Sequence, residues 1–345
     1  MTKKILPLYP ECISELSHFL IKGFNEPDDA AFATPECLLW KYFDPDGSNN
    51  ITRSLIAFED GQIIGHVGIC PSIFYDAASE KSFPSMHMMD WIGLASHAPI
   101  GAILMLKARN QISSQFCIGG TEEGRNVTKR IGYKIRAKVP VYTKILNLDY
   151  FLKISGHCPA WKKLLKLGRN YLRILVHRTE HPKVSLALKK VDSFGEEVSQ
   201  ISNICKMKEI YTIRTSERLN HYLRHPQQEF SGWRILQADR VCGFALLNVV
   251  HKDGVRNGKI VDLFLDCVDE NIWQSALYLL IIELQKQKAD FVECYGTTQW
   301  MKKALQRNGF FSTNYIDFTL RDPDQVIPSD SLFYLTFLEA DLSYL

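Results

Sequence analysis

The chain has no apolar run able to cross a bilayer: its longest, Ala276 to Ile282, is about a third of the roughly 20 residues that a spanning helix needs. It also has no CxxC pair. Its nine cysteines (12, 37, 70, 117, 158, 205, 242, 267 and 294) lie mostly inside apolar runs such as Ile69-Cys70 and Phe116-Cys117. That pattern favours buried, reduced thiols in a cytosolic compartment over a disulfide framework or a zinc site. The ten histidines show no ligand spacing such as HExxH, and no nucleotide phosphate loop occurs, so no metal is expected. An excess of charge of one sign is missing as well: 41 Lys and Arg stand against 38 Asp and Glu, and a formal net charge of +3 argues neither for nor against an anionic partner. Met1 to Pro7 begins like a signal peptide, but Pro10-Glu11 interrupts any apolar core, and a cytoplasmic protein is expected.

What is present is a soluble-protein composition, 46 % hydrophobic and 23 % charged, over 345 residues, enough for two domains with their own cores. The chain also repeats itself. A shift of 177 positions pairs Cys117 with Cys294, Gly119 with Gly296, Thr121 with Thr298, Arg130 with Arg307, Gly132 with Gly309 and Tyr133 with Phe310. With small gaps, Asp60 to Gly65 matches Asp239 to Gly243, Met89-Asp90-Trp91 matches Val261-Asp262-Leu263, and Trp40 to Pro45 loosely matches His221 to Pro226. These matches indicate a duplicated domain.

Local patterns supply the elements. Lys4 to Tyr9 reads as a strand, Pro10 to Phe24 as a helix, and Pro35 to Phe43 as a second helix stopped by the turn Asp44-Pro45-Asp46-Gly47. A hairpin crosses Glu59-Asp60-Gly61. Next come a strand carrying Asp90, a helix from Pro99 to about Ile112, a strand at Phe116 to Gly119, and a polar helix closing with Gly132-Tyr133. The order recurs from Val184, with a strand at Ser185 to Lys189 and a last strand at Leu332 to Phe337. A buried carboxylate amid Met88, Met89, Trp91 and Ile92 would cost several kcal/mol if unpaired, so Asp90 needs a partner, a raised pKa or a wet cleft.

The charged turn with its Gly-centred strand, the Asp90 strand, the helix, the strand ending in Gly119 and the Gly132-Tyr133 closure resemble the GCN5-related N-acetyltransferase (GNAT) fold. Because the order recurs, the whole chain resembles tandem GNAT proteins, some of which accompany cell-surface polysaccharide biosynthesis; the Thr336 to Asp341 ending resembles theirs. The resemblance implies an α/β (α+β) fold of two tandem GNAT-like domains, 1–146 and 184–345, each a mixed, mostly antiparallel sheet flanked by helices. A basic helical linker, 147–183, joins them.

It further implies acetyl-CoA or another acyl-CoA as co-substrate, with its pyrophosphate at a helix N-terminus. The family pattern there is Gln or Arg, two residues, Gly, one residue, then Gly or Ala. This chain has Ser96-His97-Ala98-Pro99-Ile100-Gly101, matching only at Gly101. Leu94, Ser96, His97, Ile100, Gly101 and Ala102 are the candidate cofactor residues. The corresponding stretch of the second copy, Asp266 to Trp273, has no glycine and three acids, so the first copy is expected to hold the acyl carrier. Asp90 is the candidate general base, and Trp40, Tyr42, Glu122, Arg125 and Asn126 the candidate acceptor contacts. The family's acidic tyrosine falls at Thr128 and, in the repeat, at Leu305.

Between the copies, Phe151 to Thr179 contains no acid, while Lys153, Lys162, Lys163, Lys166, Arg169, Arg173 and Arg178 alternate with Trp161, Leu164, Leu165, Leu167, Tyr171, Leu172, Ile174 and Leu175. Such a helix, 161–178, can lie on an anionic membrane or RNA, or can dock as a plain linker with a solvated basic face. The leading function is N-acyl transfer to the amino group of a small acceptor such as an amino sugar or amino acid, with nucleic acid not expected. The alternatives are a Fem-type aminoacyl-tRNA-dependent transferase and a non-catalytic binding protein on the same fold.

Overall fold

A computed structural model of the chain describes residues 3–43, 52–148, 159–205 and 207–340; the Asp44 to Gly47 turn, Lys153 and Asp341 lie outside the described residues. The first half runs β1 (Lys4–Pro7), α1 (Ile13–Phe24), α2 (Pro35–Tyr42), β2 (Ser54–Glu59), β3 (Gln62–Asp76), β4 (Lys81–Gly93), α3 (Ile100–Ala108), β5 (Gln115–Ile118), α4 (Glu122–Arg130) and β6 (Lys134–Ile145). After α5 (Ala160–Val176) come β7 (Ala187–Val191), α6 (Glu197–Ile204), β8 (Ile210–Thr212), α7 (Ser216–Leu223), β9 (Ser231–Gln237), β10 (Arg240–Lys252) and β11 (Val255–Leu265). The chain closes with α8 (Glu270–Lys286), β12 (Phe291–Tyr295), α9 (Gln299–Arg307), β13 (Phe311–Arg321) and β14 (Phe333–Tyr334).

Several expected bounds move. The helix expected from Pro10 opens as a 3-10 turn, Pro10–Cys12, before α1 begins. The helix expected from Pro99 to Ile112 is shorter: Pro99 is its N-cap, and i→i−3 bonds from Asn110 to Lys107 and from Gln111 to Ala108 tighten and end it. The strand expected at Ser185 to Lys189 sits two residues later, as β7. Only Phe333 and Tyr334 of the expected last strand pair, because Thr336 turns the chain by capping a 3-10 turn in a reciprocal box with Glu339.

The repeat pairs occupy matching places. Thr121 and Thr298 are the N-caps of α4 and α9, their hydroxyls accepting from Gly124 and Met301 amides. Gly132 and Gly309 follow those helices at φ 99° and 79°, the left-handed stop that a side chain would strain. Tyr133 and Phe310 are both buried behind them.

Among the described residues all fourteen strands belong to one sheet, ordered β1-β2-β3-β4-β5-β13-β6-β12-β11-β10-β9-β7, with β8 pairing both β14 and β3. The order shows an exchange. β6, the last strand of the first half, pairs with β12 of the second, and β13 crosses back to pair with β5 of the first. The two exchanged strands then pair with each other, antiparallel, along the middle of the sheet. The pairs β4–β5, β11–β12 and β14–β8 are parallel and the rest antiparallel. Phe74 of the first half meets Phe318 and Phe333 of the second edge-on at centroid distances of 6.1 and 5.8 Å, and Phe116 meets Phe318 at 5.9 Å, so one core spans the seam.

Candidate active site

β4 pairs with β5 only at Met86↔Gln115 and His87↔Phe116, and beyond these residues the two strands are unpaired and part. In the same stretch β4 bulges against β3. His66 faces Ile92 and Gly68 faces Met89, which sets two residues, Asp90 and Trp91, against Val67. Asp90 takes up the extra residue at φ 45°, a conformation that aspartate tolerates better than most residues. The bulge re-phases the strand. Met86, Met88 and Trp91 pack on the α3 side with Ile100 and Leu104, whereas Met89 and Ile92 pack on the α1 side with Leu16 and Leu20.

Asp90 thereby turns toward α2, where its Oδ2 accepts from Lys41 Nζ at 2.8 Å and from the Tyr42 hydroxyl at 2.6 Å. Both partners of the ion pair are buried. Burial pushes the Asp90 carboxyl up, but the Lys41 ammonium and the two hydrogen bonds outweigh it and hold the carboxyl below its ordinary value. His66 Nδ1 donates to the Asp90 carbonyl at 2.8 Å, so its Nε2 accepts from the Ser54 hydroxyl at 2.9 Å. That is the neutral ring, and burial lowers its pKa to about 4. The second half repeats the device with Asp262, held by Arg214 through two bonds of 3.0 and 3.2 Å, side chains fully buried.

At the mouth of the splay stands the start of α3. Its first turn has no side-chain cap, and the first helical bond is Ile103 N to Pro99 O, so the amides of Ile100, Gly101 and Ala102 precede it. The Trp91 indole donates to Gly101 O at 2.9 Å and also reaches the first turn of α4, where a Cβ on Gly124 would stand 3.5 Å from its ring. The second half differs at this point. Asp269 caps α8, accepting from the amides of Asn271 and Ile272 at 2.8 and 3.3 Å.

On the β6–β13 seam a cleft of about 270 Å³ is lined by Val141, Asn257, Lys259, Glu293, Thr313, Asn314, Ile316 and Phe337. Asn257 donates to Glu293 at 2.8 Å, and burial, moderated by the Glu293 charge, lowers the Lys259 pKa to about 8. Ile316 joins this cleft to the end of β5, since its Cγ2 would lie 3.3 Å from a Cβ on Gly119.

The structure therefore gathers Leu94, Ser96, His97, Ile100, Gly101 and Ala102 around one helix start; Ile100 contributes only its amide, its side chain packing under Gly65 and Gly93. Glu122, Arg125 and Asn126 are exposed on α4, Arg125 donating to Gly120 O at 2.6 Å. Trp40 and Tyr42 are each 6 % exposed; Trp40 stacks on His221 at 4.2 Å and 6° and donates to its carbonyl, so it holds the halves together. Thr128 is buried with its hydroxyl on Arg125 O, and Leu305 is fully buried.

Sequence reading missed Lys41, His66 and Glu59. Glu59 accepts from His97 Nε2 at 2.6 Å while Ser96 bonds the other ring nitrogen at 2.8 Å, bringing an acid to a loop that has none in its own sequence. That a buried Asp90 would need a partner, a raised pKa or a wet cleft was the one available signal for Lys41.

No protein-family model and no curated protein sequence matches the chain. Solved structures do. The GCN5-related N-acetyltransferase of Anabaena variabilis ATCC 29413 matches with TM-score 0.60 and 14 % identity over 92 % of this chain and 72 % of its own. A probable N-acyltransferase of Enterococcus faecalis V583 matches at 0.59 and 11 % over 93 % and 72 %. Saccharomyces cerevisiae N-myristoyltransferase with bound myristoyl-CoA matches at 0.62 and 11 % over 96 % and 89 %. The fold is the GNAT fold, present twice. At these identities the GNAT likeness concerns architecture alone.

Proposed function

We propose that the chain is an N-acyltransferase that takes an acyl group, acetyl or longer, from coenzyme A at the β4–β5 splay of the first half and passes it to the amino group of a small acceptor. The observation that carries this reading is the contrast between the two helix starts: α3 is uncapped, whereas Asp269 already occupies the α8 amides. An anion needs free donors at a helix start, and only α3 offers them there. Pyrophosphate would rest on the Gly101 and Ala102 amides with Ser96 and His97 beside it. In the reaction the acceptor nitrogen attacks the thioester carbonyl, the C–S bond breaks, coenzyme A leaves as the thiol or thiolate, and the ammonium proton is lost to a base.

The seam cleft supports an amino sugar or amino acid as acceptor, since its Asn257, Glu293, Thr313 and Asn314 are hydrogen-bonding groups and its Ile316 borders the end of β5. Asp90 already shares its Oδ2 with an ammonium, which makes it a poor proton acceptor; in this reading it is a positioning residue that fixes the bulge. Asp90→Asn should lower kcat with the shape of its pH profile retained, and a profile that loses its acidic limb would restore Asp90 as the base.

Titration calorimetry with acetyl-CoA and longer acyl-CoAs tests the carrier site. Gly101→Glu and Ala102→Glu should each weaken binding by roughly fivefold or more, the acid opposing the pyrophosphate by about a kcal/mol or more. Asp269→Asn with Glu270→Gln should leave binding unchanged. The opposite pattern places the carrier in the second half. The burial of Thr128 and Leu305 at the family's acid position also supports a second reading, a non-catalytic binder; acyl-CoA binding without turnover on any amine would select it.

A further inference from the structure

We propose that α5 is a membrane-surface anchor that seats the protein on an anionic lipid bilayer, independently of the acyl-transfer reading. The helix carries three stripes. Asn170 is fully buried, Ile174 packs against Ile145, Val255 and Phe311, and the Arg173 guanidinium lies 4.7 Å over the Phe311 ring, so one stripe is fastened to the body. Next to it run the exposed basic residues Lys162, Lys166 and Arg169. The third stripe is apolar and uncovered: Trp161, Leu164, Leu165, Leu172, Leu175 and Val176 are between 40 and 74 % exposed. At 3.6 residues per turn these six side chains fill a continuous arc of roughly 120° facing away from the body. A patch of that size and composition on a soluble body marks an interaction surface.

Charge identifies the occupant. No acid occurs from Phe151 to Thr179, and the basic stripe borders the apolar one, the arrangement of a helix that lies in a lipid interface with its apolar face among acyl chains and its cations at anionic headgroups. A second copy would bring the same cations against each other. RNA would satisfy the cations but leave the leucine stripe in water.

The test is co-sedimentation of the full chain with vesicles of phosphatidylcholine alone or with about 30 % phosphatidylglycerol, at low and high salt. Binding is expected only to the anionic vesicles, weaker by roughly tenfold or more at high salt. Lys162→Gln with Lys166→Gln and Arg169→Gln should remove the salt-dependent part, and Leu164→Glu with Leu172→Glu should abolish binding at every salt concentration. Both variants change exposed residues, and unaltered circular dichroism and melting confirm that they fold. Lipids brominated in their tails should quench fluorescence in the parent protein more than in Trp161→Phe. The proposal is overturned if the parent protein stays in the supernatant with anionic vesicles, or if Leu164→Glu with Leu172→Glu binds as well as the parent. It is equally overturned if lipid-free sedimentation velocity shows a dimer that those two substitutions split, or if the chain pellets with RNA and not with vesicles.

Discussion

Lys41 neutralises Asp90 at the bulge, and both side chains are out of water. Removing one partner of such a pair leaves a buried charge uncompensated, so Lys41→Met should destabilise the fold by about 3–5 kcal/mol, and adding Asp90→Asn should recover much of that. Urea unfolding of the single and double variants measures it; an additive pair would mean that the two side chains do not interact. His66 and His87 make stability depend on pH. Burial lowers their pKa values to about 4 and about 3 from 6.5. The unfolded chain therefore takes up protons first, and stability, constant above pH 6.5, falls as the pH drops below it, by about 1.4 kcal/mol per pH unit for each histidine until its folded value is reached. Unfolding midpoints at pH 7.5, 6 and 5 check this, and a flat profile over that range would show the rings charged. The sequence left a buried Asp90 a partner, a raised pKa or a wet cleft, and the structure supplies the partner. The identity of that residue was not legible in the sequence, because Lys41 lies 49 positions away and reaches Asp90 only through the packing of α2 on the bulge.

Elements were legible where chemistry is local. Thr121 with Thr298 and Gly132 with Gly309 stood out as repeat pairs, and the structure makes them caps and stops, because a hydroxyl three residues before an amide and a positive φ act within one turn. Thr121→Ala and Thr298→Ala should each cost about 1 kcal/mol in urea titrations, and equal losses are expected from the two copies. The β4 bulge was not legible, since strand alternation through Met88, Met89, Asp90 and Trp91 reads the same with or without an added residue. It decides the site nonetheless. Without it Trp91 would fall on the α1 side, and α3 and α4 would lose the indole that touches both of their first turns. A Cβ on Gly101 would stand 3.1 Å from that indole's Nε1, so even Gly101→Ala should weaken acyl-CoA binding, read by the same calorimetry as the charged variants.

At the scale of the molecule, the duplication was legible because it lies in the letters, and the exchange of β6 and β13 was not, because a strand's own sequence does not name its neighbour. Phe318→Ala should cost about 3–5 kcal/mol and loosen both halves in one transition, since the ring stands between Phe74, Phe116 and Phe333. Two separate calorimetric transitions would show independent halves. The exchange also bears on synthesis at the ribosome, which delivers the chain from its N-terminus. When residue 146 has emerged, β5 still presents an open edge, because the partner it needs, Phe318 opposite Ile118, lies 200 positions after Ile118 and has still to be synthesised. For the whole interval the nascent first half is a sheet with a missing strand, an edge open to wrong pairing until β13 arrives.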